Sequence, residues 1–216
     1  MLLSTLGHEE IRDKAEEIVK EFVNSSKPFG LTQKYIKQLN NRKVKDDTIL
    51  GIHTYTIQNS TVYVVAQKKN YNRSSRSMGE IVFTYYISAL NPYTGKYSYI
   101  MPTFGTTGYR VMGCVIFTAH FIQRLRERDG KGFADLLKIN GGEVMAFVYN
   151  PKGTEGEIET RWGTYRLFGH QDGPYITITT MVTEDMLYED QLPTDSAITK
   201  MEESLQTFRK NIILSA

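Results

Sequence analysis

Ile52–Gln67, IHTYTIQNSTVYVVAQ, decides the fold. Two runs rich in β-branched and aromatic residues, Ile52–Gln58 and Thr61–Gln67, are separated by only Asn59 and Ser60, which suits a hairpin better than a crossover. The same texture recurs at Ile81–Ala89, Tyr97–Met101 and Tyr109–Phe117, and Asn91-Pro92-Tyr93-Thr94-Gly95 supplies the turn between the third and fourth runs. Five strands in an antiparallel meander are expected.

On the N-terminal side of this stretch the period changes. Ile11, Ala15, Ile18, Val19 and Phe22 lie at helical spacing, with Glu9 and Glu10 in the first turn where they complement the helix dipole, so a helix is expected near residues 8 to 24. Ser25-Ser26-Lys27-Pro28-Phe29-Gly30 reads as a break, and Leu31, Tyr35, Ile36 and Leu39 predict a second helix near 31 to 40. On the C-terminal side a helical pattern covers 119 to 139, interrupted at Asp129-Gly130-Lys131-Gly132. Four more strands are predicted at Val144–Tyr149, Glu157–Arg161, Thr164–Phe168 and Tyr175–Val182. Ile198, Met201, Leu205, Phe208 and Ile212, spaced 3 and 4 apart after an Asp195 or Ser196 cap, form the seam of a last amphipathic helix near 195 to 213. The fold class is α+β with antiparallel sheet, read as one domain of 1–216. Its natural subdivisions are the N-terminal helices and meander (1–107), a central helix plus sheet (108–192) and the C-terminal helix (193–216).

Composition narrows the function little. The chain has 216 residues, 40% hydrophobic and 23% charged, an ordinary globular balance. A net charge of +2 exerts no global pull on nucleic acid, so any such affinity must come from local clusters. One cysteine, Cys114, excludes an intramolecular disulfide and is expected to be a buried small hydrophobe. No apolar run approaches the roughly 20 residues that span a bilayer, and Met1–Leu6 lacks a signal peptide's charged region, so no membrane and a cytoplasmic address are expected. The phosphate-loop, nucleophile-elbow and His-Glu-x-x-His patterns are absent, and four scattered histidines argue against zinc. No cofactor or metal is implied.

One local pattern carries chemistry. His120, Arg124 and Arg128 recur at i, i+4 and i+8 and span about 80° of a helix, beside the apolar arc of Phe121, Ile122 and Leu125. An imidazole can act as general acid or base near neutral pH, and guanidiniums one and two turns along can hold a phosphate and stabilise charge growing on it. That set suits metal-independent RNA cleavage, in which the 2′-hydroxyl is activated, the leaving 5′-oxygen protonated and the phosphorane neutralised without a cofactor. The competing reading is a solvated face, with Glu127 and Asp129 pairing the arginines and Thr118 serving only as N-cap.

The stretch Ile116–Gly130, IFTAHFIQRLRERDG, resembles the H-x3-R-x3-R-G helix of small bacterial toxin-like domains related to the RelE, barnase and colicin-type ribonuclease group. In those domains the helix precedes a short antiparallel sheet, and here strand candidates follow through Val182. The resemblance spans residues 116 to 182. Asp129 stands between the last arginine and the glycine, a departure from the pattern. It implies a metal-independent ribonuclease with His120 as acid/base and Arg124 and Arg128 on the phosphate.

Further candidates are His170, read as sitting in the tight connection Phe168–Pro174, and Arg161, Tyr165 and Arg166 on the preceding hairpin. Tyr165 and Arg166 point to opposite sheet faces. Lys68, Lys69, Tyr71, Arg73 and Arg76 form a basic, acid-free loop with one ring, the ingredients of single-stranded nucleic-acid binding. Fourteen tyrosines have no assigned role beyond covering a sheet with a wet edge. Two readings result. One is a toxin-like or mobile-element ribonuclease whose partner is RNA. The other is a non-enzymatic intracellular protein that binds nucleic acid or protein; the protein partners considered are an inhibitor, which belongs with the first reading, and a second copy held through the C-terminal helix. The first requires His120, Arg124 and the Arg161–His170 hairpin to converge on one concave surface, and in the second they are dispersed or tied up in ion pairs.

Overall fold

The Ile52–Gln67 segment forms its hairpin, between β1 (Ile49–Ile57) and β2 (Ser60–Lys69). The turn residues are Gln58 and Asn59, both at positive φ (48° and 61°), as a two-residue turn matched to strand twist requires. The computed structural model describes residues 7–39, 41, 44–45, 48–69, 80–91, 93–105, 110–140, 156–162 and 165–183. β3 (Glu80–Leu90), β4 (Tyr97–Phe104) and β5 (Val111–Phe117) complete the expected antiparallel meander.

Two helices follow, α3 (Ala119–Asp129) and α4 (Phe133–Asn140). Thr118 caps α3 by accepting from the Phe121 N–H at 3.2 Å, and Gly130, at φ 63°, ends it in the left-handed conformation that glycine adopts without strain. A second meander, β6 (Gly156–Trp162), β7 (Tyr165–Asp172) and β8 (Tyr175–Thr183), joins the same sheet in the order β1-β2-β3-β4-β5-β8-β7-β6. The joint is parallel, from Cys114 opposite Tyr175 to Phe117 opposite Ile178. Every other pairing among the described residues is antiparallel.

Alternation along the strands sends apolar side chains to both faces, so helices are needed on both. Ile11, Ala15, Ile18, Val19 and Phe22 of α1 (His8–Val23) and Leu31 and Tyr35 of α2 (Lys27–Leu39) pack on Val62, Val64, Tyr85, Ile87, Ile100 and Cys114. The other face carries Phe121, Ile122 and Leu125 of α3 and Phe133, Leu136 and Leu137 of α4 on Tyr86, Met101, Val115, Leu167, Ile178 and Met181. Because β5 stops at Phe117 while β8 runs on to Thr183, α3 lies along the last residues of β8, with the Thr118 N–H on the Ile178 carbonyl at 3.0 Å.

Three expectations are corrected. α2 begins at Lys27, four residues early, because Pro28 falls in the first turn, where its missing N–H is no loss. His170 lies inside β7, and the turn is confined to Gly173-Pro174. Gly169 permits this, since a Cβ there would run into the Thr177 carbonyl where the β7–β8 register shifts. β2 runs through Lys68 and Lys69, so the basic segment starts in a strand. Val144–Tyr149 and the C-terminal amphipathic seam lie outside the described residues. No described helix is long and apolar enough to cross a membrane.

Candidate functional site

α3 presents His120, Gln123, Arg124 and Glu127 outward, opposite its buried Phe121 and Leu125. His120 is exposed and has no hydrogen-bond partner among the described residues. The Arg124 guanidinium reaches Glu127 at 3.0 Å, and the Gln123 amide reaches the same carboxylate at 2.7 Å. Gln123 foremost, with Arg124, holds the Glu127 carboxyl below its usual range. Arg128 turns to the other flank of the helix and donates to the Met181 carbonyl.

Tyr165 stands at the C-terminal end of α3, 3% exposed. Its hydroxyl donates to Asp129, whose carboxylate also accepts from the Lys131 ammonium at 2.6 Å. That ammonium reaches the Tyr165 oxygen at 3.1 Å. Lys131 and then Tyr165 hold the Asp129 carboxyl down, while burial first and Asp129 second push the phenol up. Arg128, Asp129, Lys131 and Tyr165 thus close one end of α3 onto β7 and β8, and His120 sits about 12 Å away at the other.

His170 is not part of this group. It pairs with Thr177, which lies between Ile176 and Ile178 of the α3-side core, so His170 projects from the opposite face and is exposed. Arg166 likewise leaves the sheet opposite to Tyr165, and Arg161 lies beside it on β6. Of the residues selected from the sequence, His120 and Arg124 share an exposed surface, Arg128 and Tyr165 meet at the far end of the helix, and His170 is remote.

Lys68 is 3% exposed, and its ammonium donates to the Asn41 and Val44 carbonyls, each at 3.1 Å. It pins the α2–β1 connection to β2. Lys69 ends β2 opposite Glu80, and Tyr71, Arg73 and Arg76 lie outside the described residues. Among the described residues no group of three His, Cys, Asp or Glu side chains is arranged to hold a metal. Cys114 is buried, and burial pushes its thiol up to about 12.

Beside the outer face of α3 stands a feature that the sequence did not single out. The β3–β4 hairpin projects past the end of β5, and the Lys96 ammonium donates to the Gln123 carbonyl at 3.0 Å. Tyr93 at its tip is 80% exposed and Tyr97 is 50% exposed. Tyr97 shares a face with Tyr99, whose ring lies 5.9 Å from that of Tyr63 on β2. Ser88, opposite Tyr99 on the intervening strand, is small enough to let the two rings meet. Arg126, exposed on the flank of α3, acts electrostatically on Tyr99. Burial, with Tyr63 adding to it, pushes the Tyr99 phenol up to about 12, so it stays a neutral ring. The result is a row of tyrosines, Tyr97, Tyr99 and Tyr63, with Lys96 and Arg126 beside it, in which one face of the Tyr99 ring is taken by Phe133 of α4, stacked on it at 4.0 Å, so that Tyr97 is its exposed end. The signal was present as period-2 spacing of Tyr97 and Tyr99, but the partner Tyr63 is two strands away and only pairing register brings it close.

No family model, no curated protein and no solved structure matches this chain.

Proposed function

We propose that this chain binds single-stranded RNA, without cleaving it, on the surface shared by the β3–β4 hairpin and α3. The observation that carries this reading is the placement of two exposed rings, Tyr93 and Tyr97, on a hairpin whose Lys96 reaches Gln123 of α3, the helix that carries Arg124 and Arg126. A strand with unstacked bases gains from aromatic platforms, and its phosphates gain from cations beside them. The exposed His120 ring and the Tyr97 hydroxyl supply a donor and an acceptor that a 2′-hydroxyl can use, which favours RNA over DNA.

Cleavage would need a second proton-transfer group opposite His120. Among the described residues, Glu127 on the same face is held by Gln123 and Arg124, Tyr165 is engaged by Asp129 and Lys131 at the other end of α3, and His170 is on the other face of the sheet. The arrangement therefore favours the binding alternative over the ribonuclease implied by the H-x3-R-x3-R resemblance.

The test is fluorescence anisotropy with labelled single-stranded RNA, followed by electrophoresis of the same RNA. Tyr97→Ala should weaken binding roughly ten-fold, the scale of one lost stacking contact. Arg126→Ala should lower the slope of log affinity against log salt by about 0.7, one phosphate contact. DNA of the same sequence should bind more weakly, and the RNA should remain intact. Equal affinity for DNA would overturn the RNA assignment. Cleavage lost in His120→Ala would restore the ribonuclease.

A further inference from the structure

β1 is an edge strand, and the faces on its two sides carry related chemistry. On the α3 side the tyrosine row ends at Tyr63, whose cross-strand neighbour on β1 is the exposed Thr54. On the other side, a step away along the same strand, Tyr55 and His53 face α2. The Lys27 ammonium stands 5.3 Å over the Tyr55 ring, and the Lys34 ammonium stands 5.3 Å over the Tyr35 ring. The Tyr35 hydroxyl meets His53 Nε2 at 2.7 Å and occupies the space that a side chain at Gly51 would fill.

This flank of α2 has no acid of its own. From Asn24 to Lys45 the sequence holds Lys27, Lys34, Lys37, Arg42, Lys43 and Lys45 and neither Asp nor Glu. Glu21 of α1 accepts from the Gln58 amide at 3.0 Å, and the next acids in the sequence are Asp46 and Asp47, after Lys45. Lys34 and Lys37 are exposed, and neither has an ion-pair partner among the described residues. A row of cations set against rings, beginning where the tyrosine row ends, is complementary to a continuing polyanion.

We infer that a single RNA strand crosses the sheet from Tyr97 to Tyr63, passes around the β1 edge at Thr54, and lays its phosphates along Lys27 and Lys34 of α2. This rests on the RNA-binding reading of the tyrosine row and adds to it a direction, a second contact and a minimum length. The crossing from β4 to β1 covers three strand spacings, about 14 Å, before the strand turns the edge. A short oligonucleotide fills only the tyrosine row. A longer one reaches α2.

Anisotropy with labelled oligouridylates of about four and about twelve nucleotides, within the site sizes typical of single-strand binders, separates the two parts. In the full chain carrying Lys27→Gln and Lys34→Gln, the longer RNA should bind roughly ten-fold more weakly, with the salt slope reduced by about 1.4 for two lost phosphate contacts, while the shorter RNA is unaffected. Tyr97→Ala should weaken both lengths. If the double variant binds the long RNA as the wild type does, while Tyr97→Ala still weakens the short one, the path around β1 is wrong and the tyrosine row stands. If Tyr97→Ala leaves both lengths unchanged, the tyrosine row fails and the path fails with it.

Discussion

His53 is a histidine whose protonation the fold disfavours. Burial foremost, and then the Lys34 charge, lower its pKa from the usual value, and Tyr35 holds its Nε2. The unfolded chain therefore binds a proton at His53 more readily than the folded one, near the ordinary value of about 6.5. The stability that the neutral ring supports is complete above that pH and is lost as the pH falls through the lowered folded value. Urea midpoints measured from pH 7.5 down to pH 5 should fall in the wild type and fall less steeply in His53→Gln, and parallel curves would contradict this. Lys68 shows how far single residues were legible. Its charge and its acid-free surroundings read as a solvated nucleic-acid contact, but β2 extends through it and the ammonium is spent on the Asn41 and Val44 carbonyls. Nothing in the local sequence marks those partners, which come from the α2–β1 connection more than twenty positions earlier. Cys114 and Thr118, by contrast, were readable, because burial in an apolar run and capping of a following helix are decided within a few residues.

At the level of elements, the hairpins were legible and the joint between the meanders was not. Turn residues and β-branched runs mark neighbours, whereas β8 pairs with β5 across more than fifty residues and in parallel, which no turn signals. Gly113 is the position that allows it. A Cβ there would collide with the Pro174 carbonyl and stand 2.8 Å from the Pro174 side chain, at the point where the Cys114 N–H meets that carbonyl at 3.3 Å. The obstacle is backbone, so it cannot swing aside. Gly113→Ala should cost about 1 to 3 kcal/mol, the range of an overpacked site, read as a lower urea midpoint. An unchanged midpoint would show that β8 does not enter the sheet beside β5 as described. The α3 pattern was also legible as an element, with its apolar arc, its cap and its break at Gly130. Its chemistry was not, since i, i+4 spacing shows which residues share a helix face and says nothing of the Met181 carbonyl that takes Arg128, or of Tyr165, which bonds Asp129 at the end of the helix.

For the whole molecule, a mixed sheet with α1 and α2 on one face and α3 and α4 on the other is the α+β class that the sequence implied, with one parallel joint added. Two-sided burial explains why β2, β3 and β5 read as nearly continuous apolar runs with little alternation. The same architecture leaves the hairpin end of the α3 side with rings exposed beside cations, since β5 ends short of the β3–β4 hairpin. RNA held there should mark the hairpin and α3, and RNA held by the acid-free segment after β2 should mark that segment instead. Photo-crosslinking of the wild-type chain to single-stranded RNA, with the adducts located by mass spectrometry, distinguishes the two. Adducts on Tyr93, Tyr97 or Tyr63 are the predicted result, and adducts confined to the segment from Lys68 to Arg76 would contradict the assignment of the site.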